Sequence, residues 1–127
     1  MDKWQGQQQF WESFGIPAYD EQHVFTEEDR EDLPHLVYQS FGGNIGQTAT
    51  LSASLWYKGA SMAPIKRKAT EIEQYIRERQ PLCVKINGGY LWVKVPETIP
   101  FAQPAGSDND NLLRIILTVE AESLTAF

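Results

Sequence analysis

The sequence predicts an α+β domain of two layers. A mostly antiparallel sheet of about five strands carries one main helix, residues 62–80, with a short helix at the N-terminus. Three observations lead there. Residues 47–57 alternate apolar and polar side chains without a break, the period of a half-buried strand. Residues 82–86 and 90–95 are apolar runs flanking Asn87-Gly88, the strongest short-range hairpin signal. Ile65, Ala69, Ile72 and Ile76 recur at intervals of four and three, a helical stripe. With 127 residues and 42% apolar content, the chain matches one domain of the usual size, roughly 100 to 150 residues.

Taken in order, Trp4, Phe10, Trp11 and Phe14 are spaced for one face of a helix over 3–14, which Gly6 weakens and Gly15 and Pro17 stop. Its two tryptophans predict a segment buried either on its own sheet or under a neighbouring subunit. Residues 18–35 form an acidic arm without sustained period, expected to be extended and solvated. Asp20, Glu21, Glu27, Glu28, Asp29, Glu31 and Asp32 stand there against Arg30 alone. A strand at 36–41 and a glycine turn at 42–46 lead into strand 47–57. On that strand Ala49, Leu51, Ala53, Leu55 and Tyr57 face the core, opposite Thr48, Thr50, Ser52, Ser54 and Trp56. Ser61 is placed to cap the main helix, and Pro64 suits its first turn. The hairpin reads as type I′, with Ile86 opposite Gly89, Val84 opposite Leu91 and Leu82 opposite Val93. Lys85, Tyr90, Cys83, Trp92 and Lys94 take its other face. Residues 96–111 contain three prolines and read as a long loop. Leu113, Ile115, Leu117, Val119 and Ala121 define the core side of a final strand, 112–122.

No catalytic or metal-binding constellation emerges, and no cofactor is expected. Cys83 is the sole cysteine, which excludes an internal disulfide or a thiolate-rich metal site and suggests a small buried residue in a strand. His23 and His35 fall in the acidic arm with no serine or cysteine nucleophile motif beside them and read as exposed loop histidines. Asp108-Asn109-Asp110-Asn111 begins like a calcium loop but lacks its glycine and terminal glutamate. Gly42 to Gly46 joins two strands, whereas a phosphate cradle opens a helix. A net charge of −6 argues against sequence-specific nucleic-acid binding. Met1 to Gln9 is polar, unlike a signal peptide, and no apolar run approaches the roughly 18 residues of a membrane span, so a soluble product made in the cytoplasm is expected.

What the sequence offers instead is surface. Lys66, Arg67 and Lys68 occupy the start of the main helix, where the helix dipole disfavours cations. Acidic partners would favour them there, and Glu27, Glu28 and Asp29 of the arm are such groups. Repeated head to tail between copies, that pairing would set orientation. Trp56, Trp92 and Tyr90, on outward positions, are candidate interface anchors.

The stretches FWESFGIPAYDE at 10–21, LVYQSF at 36–41, LSASLWYKGAS at 51–61, the helix at 62–80, NGGYLWVKV at 87–95 and LLRIILTVEAESLTAF at 112–127 follow one another in an order that resembles the minor capsid or tail-completion proteins of long-tailed bacteriophages. The layout is similar to the tail-terminator fold. That resemblance implies a non-enzymatic structural protein that caps the tail tube as a ring, commonly of six copies. It implies contact with the major tail tube protein and the head-tail connector, and residence in the virion tail. The alternative is a monomeric binding module that inhibits a host protein.

Overall fold

The computed structural model describes residues 1–42, 47–105 and 111–125. The chain is α+β, with three helices and a curled, mixed sheet of seven strands among the described residues. In chain order these are α1 (Lys3–Glu12), β1 (Ala18–Asp20), α2 (Glu27–Glu31), β2 (His35–Tyr38), β3 (Thr48–Lys58), α3 (Ala63–Glu78), β4 (Leu82–Ile86), β5 (Gly89–Lys94), β6 (Ala102–Ala105) and β7 (Leu112–Thr125). The sheet runs β1-β2-β3-β7-β5-β4, with β6 also paired to β7. This curled, partly parallel sheet departs from the two-layer arrangement of about five mostly antiparallel strands that the sequence predicts. β1 lies parallel to β2, and two short strands arise inside segments that read as arm and loop.

β7 is the spine. Along one edge it pairs with β3 from Leu112 to Glu122, and along the other with β6 and then β5. Alternation sets the faces as expected: Leu51, Ala53 and Leu55 of β3 and Ile115, Leu117, Val119 and Ala121 of β7 are buried on one side. We call this the inner face. α3 covers it with Ile65, Ala69, Ile72 and Ile76, and α1 adds Phe10 and Trp11. Phe14, just past α1, lies edge-on to Phe10 and to Tyr75 of α3, which ties the two covering helices together.

The N-terminus of α1 is fixed by a capping box, in which the Asp2 carboxylate accepts from the Gln5 N–H and the Gln5 side chain accepts from the Asp2 N–H. Gly6 is required by close approach, because a Cβ there would stand 2.6 Å from Cγ2 of Ile86. Gln7 is buried: its Oε1 accepts from the Phe41 N–H (3.0 Å) and its Nε2 donates to the Phe41 carbonyl (2.8 Å), as a neighbouring strand would. Tyr38 donates to the Gln8 side chain. Burial pushes its phenol up to about 12, with Asp20 and Glu12 adding to the shift. Trp4 is 49% exposed and so is not buried on its own sheet, because the buried face of α1 passes through Gly6, Gln7, Phe10 and Trp11.

Other expectations shift at their ends. The strand expected at 36–41 stops at Tyr38, and the helix at 62–80 spans Ala63–Glu78. Met62 occupies the N-cap of α3, while Ser61 sits one residue earlier and its hydroxyl accepts from the Ala63 N–H (3.2 Å). The hairpin register holds at every predicted pair. Its turn is not type I′, which needs left-handed φ at both central residues, because only Gly88 takes it (φ 75°). Asn87 is engaged from outside the hairpin: its N–H donates to the Met1 carbonyl and its Oδ1 accepts from the Met1 amine. Cys83 lies in β4 but is exposed, on an edge strand that no further strand covers. Residues 43–46 of the glycine turn and 108–110 of the calcium-like run lie outside the described residues.

Candidate interaction surfaces on the sheet

The second face of the sheet, here the outer face, is where the sequence places its aromatic anchors. Trp56 of β3 pairs with Arg114 of β7, Glu122 of β7 pairs with Trp92 of β5, and Tyr90 precedes Trp92 by two residues. Cross-strand partners share a face, so Trp56, Trp92 and Tyr90 lie on the same side, as alternation predicts. Tyr90 is 49% exposed and both tryptophans are half-buried. Lys94 reaches over the Trp92 ring and forms an ion pair with Glu120 (3.5 Å).

The acidic arm folds onto this outer face, a correction to the solvated, extended arm the charges suggest. α2 is five residues long and closed by a capping box between Thr26 and Asp29. What holds the arm is a cluster of rings. Tyr19 stacks on His23 (centroids 4.9 Å) and meets Phe25 (5.3 Å) and His35 (5.5 Å) edge-on, and Phe25 also meets His23 (5.0 Å). His35, expected as an exposed loop residue, is only 6% exposed, because it begins β2 and its Nδ1 lies 3.0 Å from the Asp32 carbonyl. His23 remains exposed, 3.0 Å from Asp29. That contact, with the Thr26 N–H, holds the Asp29 carboxyl below the usual carboxylate range. Burial raises the Tyr19 phenol, with Asp29, Asp32 and Glu28 contributing. Of the three acidic candidates, Asp29 is thus occupied within the arm, while Glu27 and Glu28 are exposed.

Between arm and sheet lies a cleft of about 520 Å³, walled by Phe25, Arg30 and Leu33 on the arm and by Ser54, Trp56 and Arg114 on the strands. The guanidinium of Arg114 is held twice: Nε and Nη2 donate to Ser54 Oγ at 3.0 and 2.8 Å, and its central carbon lies 5.2 Å from the centre of the Trp56 ring. Sequence inspection passes over Arg114 as one polar position among several on a strand. Only the β3–β7 register, which sets it opposite Trp56, would have drawn attention to it.

The basic triplet lies on the other side of the sheet. Lys66, Arg67 and Lys68 stand on the helix that covers the inner face, around a concavity shared with Tyr57, Glu71 and Gln74. Lys68 pairs with Glu71 one turn on (2.8 Å), a local use of that charge. Burial raises the Tyr57 phenol, Glu71 adds to this, and Arg67 opposes it. Among the described residues, no ion pair joins the triplet to the acidic arm. Nor do these residues contain a group of three or more His, Cys, Asp or Glu able to hold a metal ion. No helix among them is long and apolar enough to cross a membrane.

No family model and no curated protein matches the chain. A solved structure matches with a TM-score of 0.55 and 15% identity, over 94% of this chain and 89% of that one. At that identity the likeness establishes a shared fold alone.

Proposed function

We propose that this protein is a structural component of a long-tailed phage virion, closing the tail tube as a ring of copies and helping to join tail to head. The observation that carries this reading is the separation of charge across the sheet. Glu27 and Glu28 lie on the outer side, and Lys66 and Arg67 on the helix covering the inner side. Opposite charges on opposite sides cannot satisfy one another within a chain, but they meet when copies associate head to tail, the arrangement that generates rings. Such pairing would orient subunits more than bind them tightly. Trp56, Trp92 and Tyr90 then supply aromatic anchorage for a neighbouring copy, the tail tube protein or the head-tail connector. A six-membered ring in the virion tail, assembled in the host cytoplasm, follows from the family resemblance of the sequence. On this reading the protein is not an enzyme, and its acidity lets DNA pass without being held.

The test is to inactivate the gene and image the particles. Full heads beside unjoined or overlong tails are expected, and normal virions would overturn the proposal. Reversing Lys66 and Arg67 to glutamate should reproduce the defect, and reversing Glu27 and Glu28 to lysine in the same chain should relieve it.

A further inference from the structure

The arm cleft has a chemistry that the ring does not use. Arg114 carries five N–H donors, of which Ser54 takes two. Arg30 lies in the same lining. Among the described residues neither arginine has a carboxylate within ion-pair distance, in a chain with 17 acidic residues against 11 basic ones. Glu21 is the one carboxylate in the lining, beside two guanidinium groups and His35. Local charge in the cleft therefore runs against that of the molecule.

The geometry is also preorganised. The double hydrogen bond to Ser54 and the Trp56 ring fix the plane of the Arg114 guanidinium, so its remaining donors are oriented before anything binds. A fixed guanidinium fork suits a carboxylate and loses less entropy on engaging it than a mobile lysine would. Phe25, Leu33 and Trp56 add apolar wall on both sides, and the volume lies within the range of ligand clefts, roughly 300–1,000 Å³. Charged and polar groups, Arg30, Arg114 and Ser54 among them, thus stand beside apolar wall in one cleft, a composition that suits one charged group next to an apolar one.

We propose that this cleft receives a short acidic segment of a partner protein, its carboxylate on Arg114 and the neighbouring apolar side chain against Trp56 and Phe25. A protein segment, as opposed to a free metabolite, fits the surroundings. The cleft opens onto the outer face, which continues through Ser52 and Thr118 to Glu122 and Trp92, so an extended chain leaving it meets further anchors. The inference shares Trp56 with the proposed assembly but rests on Arg114 and Ser54, which the charge pairing between copies does not use. It concerns one chain and one peptide, and its failure leaves particle morphology untouched.

The test titrates isotopically labelled full-length protein with acetyl-Leu-Glu-Phe-amide and, separately, with the glutamine counterpart. Saturable shifts are expected at the Trp56 indole N–H and the Arg114 Nε–H, with the glutamine peptide at least tenfold weaker. Arg114→Gln should abolish the glutamate preference while the rest of the spectrum keeps its folded pattern. Should that variant unfold, Ser54→Ala, which leaves the arginine in place but frees it from its tether, should weaken the glutamate peptide several-fold. Equal binding of the two peptides, or shifts centred on Lys66 and Arg67, would overturn the proposal. So would acetate matching the tripeptide in affinity, which would mark a simple anion site.

Discussion

The two faces of the sheet are covered in opposite ways. On the inner face, α1 and α3 lay down a continuous layer of isoleucines and aromatics that are almost wholly buried. On the outer face, the arm covers only one end, with a five-residue helix and a knot of four rings, one of them from Tyr19 of the edge strand β1. The inner cover is part of the fold, since removing it would expose the core. The outer cover, apart from β1, rests on the face of the sheet and adds little to its core.

The contrast is broken or sharpened by substitution. Ile72→Ala, at a fully buried position of α3, should cost about 2–5 kcal/mol in denaturant unfolding; a loss as small as that of an arm variant would erase the distinction. Gln7→Ala should cost about 1–3 kcal/mol, since it leaves the backbone N–H and carbonyl of Phe41 without their partner. Phe25→Ala removes three ring contacts of about 0.5–1.5 kcal/mol each, yet should lower global stability by only about 1 kcal/mol or less, since losses in a segment that opens ahead of the core do not reach the global transition. Trypsin should then cut at Arg30 many times faster while the core stays folded; simultaneous loss of arm and core would overturn the two-cover picture.

The smallest effect is electrostatic. The Asp29 carboxyl is lowered in the fold from an ordinary value of 3.8. Its contribution is therefore complete above that value and lost as pH falls through the lower folded one. Protection of the α2 amides, taken relative to the intrinsic exchange rate at each pH, should fall below about pH 4 while that of α3 lags behind, and Asp29→Asn should remove most of that pH dependence.

The same contrast explains what could be read from the sequence. α3, β3, the hairpin and β7 were legible because their burial has a period, and the pairing of Val84 with Leu91 follows from alternation around a two-residue turn. The arm has no such period. β1 is recognised only through its parallel pairing with β2, and the rings that hold the arm come from residues 19, 23, 25 and 35, so a charge count sees carboxylates and misses the cluster. β6 is hidden for a related reason: its four residues include Pro104, and it pairs with β7 alone. Trp56, Trp92 and Tyr90 were found by alternation, whereas Arg114 needed the third dimension, since its significance lies in being opposite Trp56 and beneath the arm.

β7 has one more consequence, in the order of assembly. It is the last of the described strands in chain order, yet β3, β5 and β6 all pair with it. While the polypeptide is being synthesised, β3 and the β4–β5 hairpin must wait with open edges until residues 112–125 arrive to bridge them. Pairings of such long sequence separation form slowly. During that interval the nascent chain exposes unpaired strand edges, which invite association between chains.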